Sequence, residues 1–184
     1  MAGGKTIYTI GHSTRPAMDF IALLQAAGVQ LLADVRAYPA SRRHPQFGRE
    51  ALTIALQARG IAYTWMGAAL GGHREARADT PNTGLAPVWR GYADHTQTPR
   101  YRAGLAQLEE QALTQSTVIM CAERNPDDCH RNLISDSLVG HGWNVVHLIG
   151  AKERRVHQLH PAAQPGEDGL IYPGAGERQL GLEF

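Results

Sequence analysis

Apolar residues follow two different periods along the first 150 residues of the chain. Short, continuously apolar runs alternate with longer stretches in which apolar residues recur every three or four positions. Runs of the first kind are typical of buried strands, and stretches of the second kind are typical of helices. The runs predict five strands, at Thr6–Ile10, Val29–Val35, Ile61–Trp65, Thr117–Met120 and Trp143–Ile149. The stretches predict four helices, at Pro16–Ala27 (ended by Gly28), Gly48–Arg59, Tyr101–Leu113 and Asn132–Val139.

Strands that alternate with helices build a parallel sheet, because each helix carries the chain back to the start of the next strand. We therefore expect an α/β fold: a single domain with a mainly parallel five-stranded sheet and helices on both faces, in a three-layer αβα, Rossmann-like arrangement. Residues 1–150 contain these elements. Residues 151–184 are richer in polar residues, proline and glycine, and we expect an irregular tail packed on the same domain. The segment Gly67–Pro99 also lacks periodicity, which predicts a long functional or mobile loop.

The composition limits the class of protein. A chain of 184 residues with 43% hydrophobic residues fits one globular domain. No apolar run approaches the roughly 18 residues of a membrane-spanning helix, and no basic-then-apolar leader begins the sequence. We therefore expect a cytoplasmic protein with no membrane partner. In that reducing compartment the two cysteines are not expected to form a structural disulfide.

The net charge of +1 conceals an asymmetry. The segment Arg36–Arg102 contains ten Arg, no Lys and four acids, a net charge of +6, whereas Ala103–Phe184 carries −5. Arginine binds phosphate through a planar fork, and the basic segment is interleaved with aromatic residues that could stack on bases. This pattern favours a nucleotide or nucleic acid as the partner. The alternative interpretation is that the aromatic residues are core and the arginines form a solvated face.

Polar loops follow four of the predicted strands. The carboxyl ends of parallel strands lie along one edge of a sheet, where α/β proteins bind ligands. We therefore expect one pocket to be formed by Gly11-His12-Ser13, Asp34-Val35-Arg36, the glycine-rich segment around Gly71-Gly72, and Cys121–Arg131. The glycines of these loops would let backbone N–H groups approach an anion closely.

The loop Cys121–Arg131 carries the most chemistry, because it holds both cysteines beside Glu123 and His130. Cys121 is either a small core residue or a nucleophile whose pKa is lowered by His12, His130 or the following helix start. Cys129 is too far along the chain for a C-x-x-C redox pair, although a disulfide across the loop is conceivable. Both cysteines, His130 and His12 could bind zinc, but their spacing is not a standard ligand pattern. The sequence therefore predicts no metal and no cofactor.

Four residues are candidates for a catalytic role: Glu123, His12, Asp34 and Cys121. Glu123 is either a general base or a structural ion-pair partner of nearby arginines. Asp34 shares that role or braces its neighbours, and His12 is an anion donor, a proton carrier or a brace for its loop. Tyr92 either stacks on a base or packs in the core. The residues predicted to bind substrate are Ser13, Arg36, Arg42, Gly71, Gly72, Tyr92, Cys129, His130 and Arg131.

Several short motifs, in order and at suitable spacing, resemble those of the domain-of-unknown-function 488 family. The resemblance extends from about Thr6 to Leu148 and implies that the matching residues form the site that the family shares. It implies no particular activity, since the family's name records that its activity was not known when it was defined. The motifs are Thr9-Ile10-Gly11-His12-Ser13, Asp34-Val35-Arg36 with Pro39, Ser41 and Arg42, Leu70-Gly71-Gly72, Gly91-Tyr92, Cys121-Ala122-Glu123 and Cys129-His130-Arg131.

The order of elements around Asp34 and Cys121 also resembles rhodanese-like sulfurtransferases, in which a cysteine at a strand end attacks sulfur or phosphorus. The chain departs from that pattern in three ways. The loop after Cys121 carries acids that repel anions, Glu123 and Asp127-Asp128. It has no arginine at the sixth position after the cysteine, and the span between Asp34 and Cys121 is longer than a compact domain of that type needs.

The sequence is best explained by an enzyme that cleaves a glycosidic or phosphoester bond in a phosphate-bearing nucleotide or nucleic acid with water. In this hypothesis Glu123 is the acid/base and His12 assists it, while Arg36, Arg42 and Arg131 hold phosphate. One alternative is a sulfurtransferase or phosphatase that uses Cys121. The other is a non-catalytic module that binds nucleic acid through the Arg36–Arg102 surface.

Overall fold

Residues 5–176 of the chain are described by a computed structural model that contains eight strands and six α-helices. The strands are β1 Thr6–Gly11, β2 Leu31–Asp34, β3 Ala62–Trp65, β4 Thr117–Cys121, β5 Asn144–Gly150, β6 Glu153–Val156, β7 Gln164–Gly166 and β8 Gly169–Ile171. The helices are α1 Ala17–Ala26, α2 Arg49–Gln57, α3 Gly67–Leu70, α4 Pro87–Thr96, α5 Pro99–Thr114 and α6 Arg131–Gly140.

The first six strands form one sheet in the order β3-β2-β4-β1-β5-β6. Strands β1 to β5 pair in parallel, and β6 joins β5 in antiparallel orientation. Every side chain of β2 and β4 is buried, as expected for central strands that are covered on both faces. The predicted mainly parallel sheet is confirmed.

Helices cover both faces of the sheet. Phe20 of α1 and Leu52 of α2 belong to the core on one face. Tyr92 of α4, Leu105 of α5 and Leu133 of α6 belong to the core on the other. This arrangement confirms the predicted three-layer αβα fold. None of the helices within residues 5–176 has the length and apolar character that crossing a membrane requires.

The sheet has six strands rather than five, because the segment after Ala151 is not irregular throughout. Strand β6 covers the edge of β5, and β7 and β8 form a separate two-stranded hairpin. All four side chains of β6, in the sequence Glu-Arg-Arg-Val, are exposed. An edge strand with no buried face has no apolar alternation, so the pattern could not identify it.

The segment Gly67–Pro99 contains two helices, α3 and α4, where the sequence predicted no regular structure. Helix α4 begins with Pro87, which is favourable in a first helical turn. Its buried positions include the polar residues Asp94, His95 and Thr96, so the helix lacks an apolar stripe. The Asp94 carboxylate accepts hydrogen bonds from Thr80 and from the Asn82 side chain, which offset the free-energy cost of burying it.

A chain of buried polar side chains crosses the core beside β1 and β5. The Thr9 hydroxyl lies 2.7 Å from His147 Nδ1, and His147 Nε2 lies 3.0 Å from His157 Nδ1. His157 Nε2 then lies 2.8 Å from an Asp136 carboxylate oxygen, and the Tyr172 hydroxyl donates to the other oxygen. The chain links β1, β5 and α6 to the segment that follows β6.

Acid should destabilise the protein through His147. Burial lowers the pKa of His147 to about 3, and His157, Arg131 and Arg155 act in the same direction while Asp127 opposes them. The unfolded chain binds the proton near its ordinary pKa of about 6.5, so folding excludes a proton that the unfolded state takes up as the pH falls. We expect the free energy of unfolding to be roughly 2 kcal/mol lower at about pH 5 than at about pH 7.5.

Urea denaturation across this pH range measures the effect. The variant His147→Gln lacks the titrating ring and should show a shallower loss of stability with acid. The comparison variant is His141→Gln, which removes an exposed histidine outside the buried polar chain. Equal slopes for His147→Gln and the parent would show that other groups dominate.

Candidate functional site

A pocket of about 1190 Å³ opens at the carboxyl ends of β1, β2 and β4. Since these strands are parallel neighbours, the loops after them meet at one edge of the sheet, as predicted. The structure brings ten of the thirteen predicted site residues to the pocket wall, while Asp34, Gly71 and Arg131 lie behind it. The ten are His12, Ser13, Arg36, Arg42, Gly72, Tyr92, Cys121, Glu123, Cys129 and His130.

Arg36 is the most firmly held cation of the pocket. Its Nε and Nη2 atoms donate to the two carboxylate oxygens of Asp34, at 2.9 and 2.6 Å, and its backbone N–H donates to the same carboxylate. The Tyr63 hydroxyl donates a fourth hydrogen bond to Asp34, which is fully buried. Burial opposes the charge of Arg36, yet the Asp34 carboxylate raises the pKa of the guanidinium. Asp34 therefore keeps Arg36 charged and fixed at the pocket, and its carboxylate accepts four hydrogen bonds in doing so.

His12 supports Arg36 from the end of β1. Its ring stacks on Phe47 with the centroids 4.5 Å apart, and burial lowers the pKa of His12 to about 4. The neutral ring donates from Nδ1 to the Ser13 carbonyl at 3.0 Å, and its Nε2 lies 3.4 Å from Arg36 Nη1 as an acceptor. Ser13 has a φ of 49° and donates its own N–H to the Ala122 carbonyl. Both ring nitrogens of His12 are thus engaged, an arrangement that the brace interpretation requires.

Two thiols and an imidazole meet at the floor of the pocket. His130 Nδ1 lies 3.8 Å from Cys121 Sγ and 3.8 Å from Cys129 Sγ. All three side chains are buried, and their potential ligand atoms lie within 4.8 Å of one another. The Cys121 thiol donates to a carboxylate oxygen of the exposed Glu123 at 2.8 Å. We call Cys121, Cys129 and His130 the Cys–His cluster.

The two thiols differ in acidity. The neighbouring Cys129, burial and the Glu123 carboxylate all raise the pKa of Cys121. Burial also opposes ionisation of Cys129, but the neighbouring Cys121 and His130 side chains and the charge of Arg131 lower its pKa well below the ordinary value. Cys129 is therefore the more acidic thiol, whereas the surroundings of Cys121 disfavour the thiolate that a nucleophile requires.

Arg131 braces the loop from behind rather than facing a ligand. It is only 1% exposed and donates to the Thr9 hydroxyl at 3.1 Å, to Cys129 Sγ at 3.4 Å and to the Glu123 carbonyl. Its guanidinium thereby ties the Cys121–Arg131 loop to β1 and to the buried polar chain. Arg131 does not line the pocket, so phosphate binding by Arg131 gains no support.

The two glycines of the predicted anion loop differ in position. A Cβ at Gly71 would lie 2.4 Å from the Gly67 carbonyl oxygen, so this glycine permits close backbone packing. Gly72 lines the pocket, and a Cβ there would lie 3.0 Å from His130 Nδ1. Tyr92 also reaches the wall, but its buried hydroxyl donates to the Leu70 carbonyl at 2.7 Å, which favours the core interpretation.

Arginines and aromatic rings form the mouth of the pocket. Arg42, Arg43 and Arg74 line it together with Tyr38, which is 79% exposed, and Trp89. Among residues 5–176, neither Arg42 nor Arg43 has an ion-pair partner. The mouth thus presents unpaired guanidinium groups and stacking surfaces to solvent.

Several contributors to the site were not identified from the sequence. Arg43 and Arg74 lie in the basic segment, and Arg74 ends the glycine-rich segment that was expected at the pocket, but neither was predicted to bind substrate. Phe47 was recognisable in the sequence as an apolar residue, but its stacking on His12 was not. The link from Arg131 through Thr9 to His147 joins positions far apart in the chain, for which a single sequence carries no signal.

Comparisons with known proteins place the chain in a family. A search of curated proteins and a search of solved structures found no match. A family model with the description "Domain of unknown function DUF488" matches residues 16–138. This range covers two thirds of the chain and includes β2 to β4, the arginines of the mouth and the Cys–His cluster. The chain therefore belongs to the DUF488 family, as its motifs indicated.

Proposed function

We propose that the protein is an enzyme that cleaves a phosphate-bearing nucleotide or nucleic acid with water. The observation that carries the proposal is Arg36: a buried guanidinium, fixed by Asp34, that lines an open pocket. A cation that is held rigid before a ligand arrives loses little conformational freedom on binding. Asp34 and His12 use three of the five N–H donors of this guanidinium, and the other two are available to phosphate oxygens.

The mouth supports a ligand that has both phosphate and base. Arg42, Arg43 and Arg74 provide further charges for phosphate groups, and Tyr38 and Trp89 provide rings on which a base can stack. The volume of about 1190 Å³ is large enough for a nucleotide or a short segment of a strand.

Glu123 is the proposed acid/base. Its exposed carboxylate lines the pocket, and the Cys121 thiol uses only one of its lone-pair sites, which leaves the rest for water. Cys121 in turn orients the carboxylate. A thiol enzyme based on Cys121 is less favoured, because the same hydrogen bond keeps the proton on sulfur.

The test combines binding with product analysis. Labelled single- and double-stranded oligonucleotides and free nucleotides are titrated at several salt concentrations, and recovered ligands are checked for altered mass. Arg42→Ala should weaken binding and reduce the dependence of log K on log salt by about one unit. The control Arg59→Ala removes the same charge from an exposed position outside the pocket and should leave binding unchanged.

Glu123→Gln should bind as the parent does but turn over about 10²–10⁴-fold more slowly. Glu110→Gln, an exposed change on α5, is its control. Binding without any change of mass would favour a recognition module. Sulfur transfer from thiosulfate to cyanide without nucleotide binding would favour the Cys121 alternative.

A further inference from the structure

The Cys–His cluster has the composition of a metal site. Thiolate sulfur and imidazole nitrogen are the ligands preferred by Zn²⁺ and other soft divalent ions, whereas Mg²⁺ and Ca²⁺ prefer oxygen. We propose that Cys121, Cys129 and His130 bind one Zn²⁺-type ion, with a fourth coordination position open to the pocket. Among the described residues, no other three His, Cys, Asp or Glu side chains bring their ligand atoms this close together.

The distances suit a tetrahedral ion. Ligand atoms about 2.0–2.3 Å from a tetrahedral ion lie about 3.3–3.8 Å from each other. The two sulfur-to-nitrogen distances to His130 Nδ1 are both 3.8 Å, and all three atoms lie within 4.8 Å. Small side-chain rotations therefore suffice to close the three ligands around an ion.

The surrounding hydrogen bonds orient the ligands. His130 Nε2 lies 3.0 Å from the Val35 carbonyl oxygen, which can only accept, so Nε2 carries a proton and the lone pair of the neutral ring is on Nδ1. This is the arrangement in which metal-binding histidines are usually held. Cys129 Sγ accepts from the backbone N–H and the Nε–H of Arg131, both at 3.4 Å. Such donors stabilise the negative charge of a metal-bound thiolate.

The fourth position would face the pocket. All three ligands line it, and Gly72 keeps space open beside His130 Nδ1, where a Cβ would lie at 3.0 Å. Glu123 is adjacent, 2.8 Å from Cys121 Sγ, but it is not part of the three-ligand set. Binding of the ion would displace the proton that Cys121 donates to Glu123, so that hydrogen bond belongs to the metal-free protein. Three protein ligands with one open position are typical of catalytic rather than structural zinc.

The metal site does not depend on the proposed function, but the chemical role of the ion rests on it. Water at the open position would be polarised by the ion, and its O–H bond would break as the proton passes to the Glu123 carboxylate. The oxygen would then form a bond to the carbon or phosphorus atom of the scissile glycosidic or phosphoester bond, in a substrate whose phosphate is held by Arg36. As that bond breaks, Glu123 would return the proton to the leaving group. The reaction needs only water and the substrate.

Metal content and cobalt absorption test the site without reference to turnover. Protein purified without chelator should contain about one Zn²⁺ per chain, and the metal-free protein should bind Co²⁺ with sulfur-to-cobalt charge-transfer absorption in the near ultraviolet. Metal-free parent protein with both thiols reduced and no such absorption would overturn the proposal, and so would a Cys121–Cys129 disulfide in protein isolated under reducing conditions.

Variants identify the ligands. Cys129→Ser and Cys121→Ser should each weaken Co²⁺ binding by more than the roughly 10–100-fold that follows loss of an outer-shell partner. His44→Ala is the matched control, because His44 lines the same pocket outside the cluster. Unchanged affinity in the folded cysteine variants would overturn the assignment. Failure of the proposed function is distinguishable, since nucleotide binding through the arginines does not require metal.

Discussion

Replacing Asp34 by asparagine is expected to lower the free energy of unfolding by about 3–5 kcal/mol, as when one partner of a buried ion pair is removed. The Asp34 carboxylate is fully buried and accepts four hydrogen bonds, three from Arg36 and one from Tyr63. Asparagine has one acceptor oxygen and no charge, so the guanidinium of Arg36 would stay buried without its counter-ion. Urea denaturation of the parent and the variant measures the difference.

Tyr63→Phe is the control for this change, because it removes one hydrogen bond to the same carboxylate and leaves the ion pair intact. It should lower the free energy of unfolding by about 1.5–3 kcal/mol, the range for a hydrogen bond to a charged group. If Asp34→Asn lowered the free energy of unfolding no more than Tyr63→Phe does, burial of the Arg36 charge would not depend on the Asp34 carboxylate. A variant that folded as the parent does but lost turnover would restore Asp34 as a catalytic candidate.

Replacing Gly11 by alanine should be comparably damaging, at about 3 kcal/mol or more, because the overlap cannot be relieved by a side-chain rotation. A Cβ at Gly11 would lie 1.7 Å from the Glu123 carbonyl oxygen and 2.9 Å from Arg124 Cα, both backbone atoms. The loop after β4 would have to move away from β1. Both unfolding free energy and nucleotide binding should therefore fall.

Gly140→Ala is the matched control for this change. Its Cβ would approach only the Leu170 side chain, at 3.8 Å, and Gly140 lies in α6. Since alanine favours a helix over glycine by about 1 kcal/mol, this variant should be neutral or more stable. A Gly11→Ala protein of parental stability and affinity would mean that the loop adapts without cost.

The sequence predicted the location of the pocket better than the roles within it. The hydrophobic period and the topology suffice to predict that Gly11, Asp34 and Cys121 lie at one edge of the sheet, because the parallel strands all end there. They do not determine the direction of a long side chain. Arg131 begins a helix beside the pocket, as predicted, yet its guanidinium turns inward to Thr9 because that buried hydroxyl offers an acceptor.

The same limit explains the missed elements. Strand β6 exposes every side chain, and α4 buries Asp94 and His95 where a periodic pattern requires apolar residues. In both cases tertiary pairing, with the edge of β5 or with Thr80, provides what the local sequence lacks. Such partners lie outside the segment itself and leave no trace in its hydrophobic periodicity.

The buried polar chain has a consequence for how the molecule opens. At one end of this chain, Asp136 accepts hydrogen bonds from His157 and Tyr172, which follow β5 in the sequence. At the other end, Thr9 accepts a hydrogen bond from Arg131, which belongs to the loop of the Cys–His cluster. Separating any link would leave polar groups unsatisfied in the core, so the links open together. Amide protons of the pocket loop should therefore exchange with solvent in concert with those near Tyr172. The tail and the pocket thus form one cooperative unit, and a chain shortened at residue 150 would lose the anchor of its site.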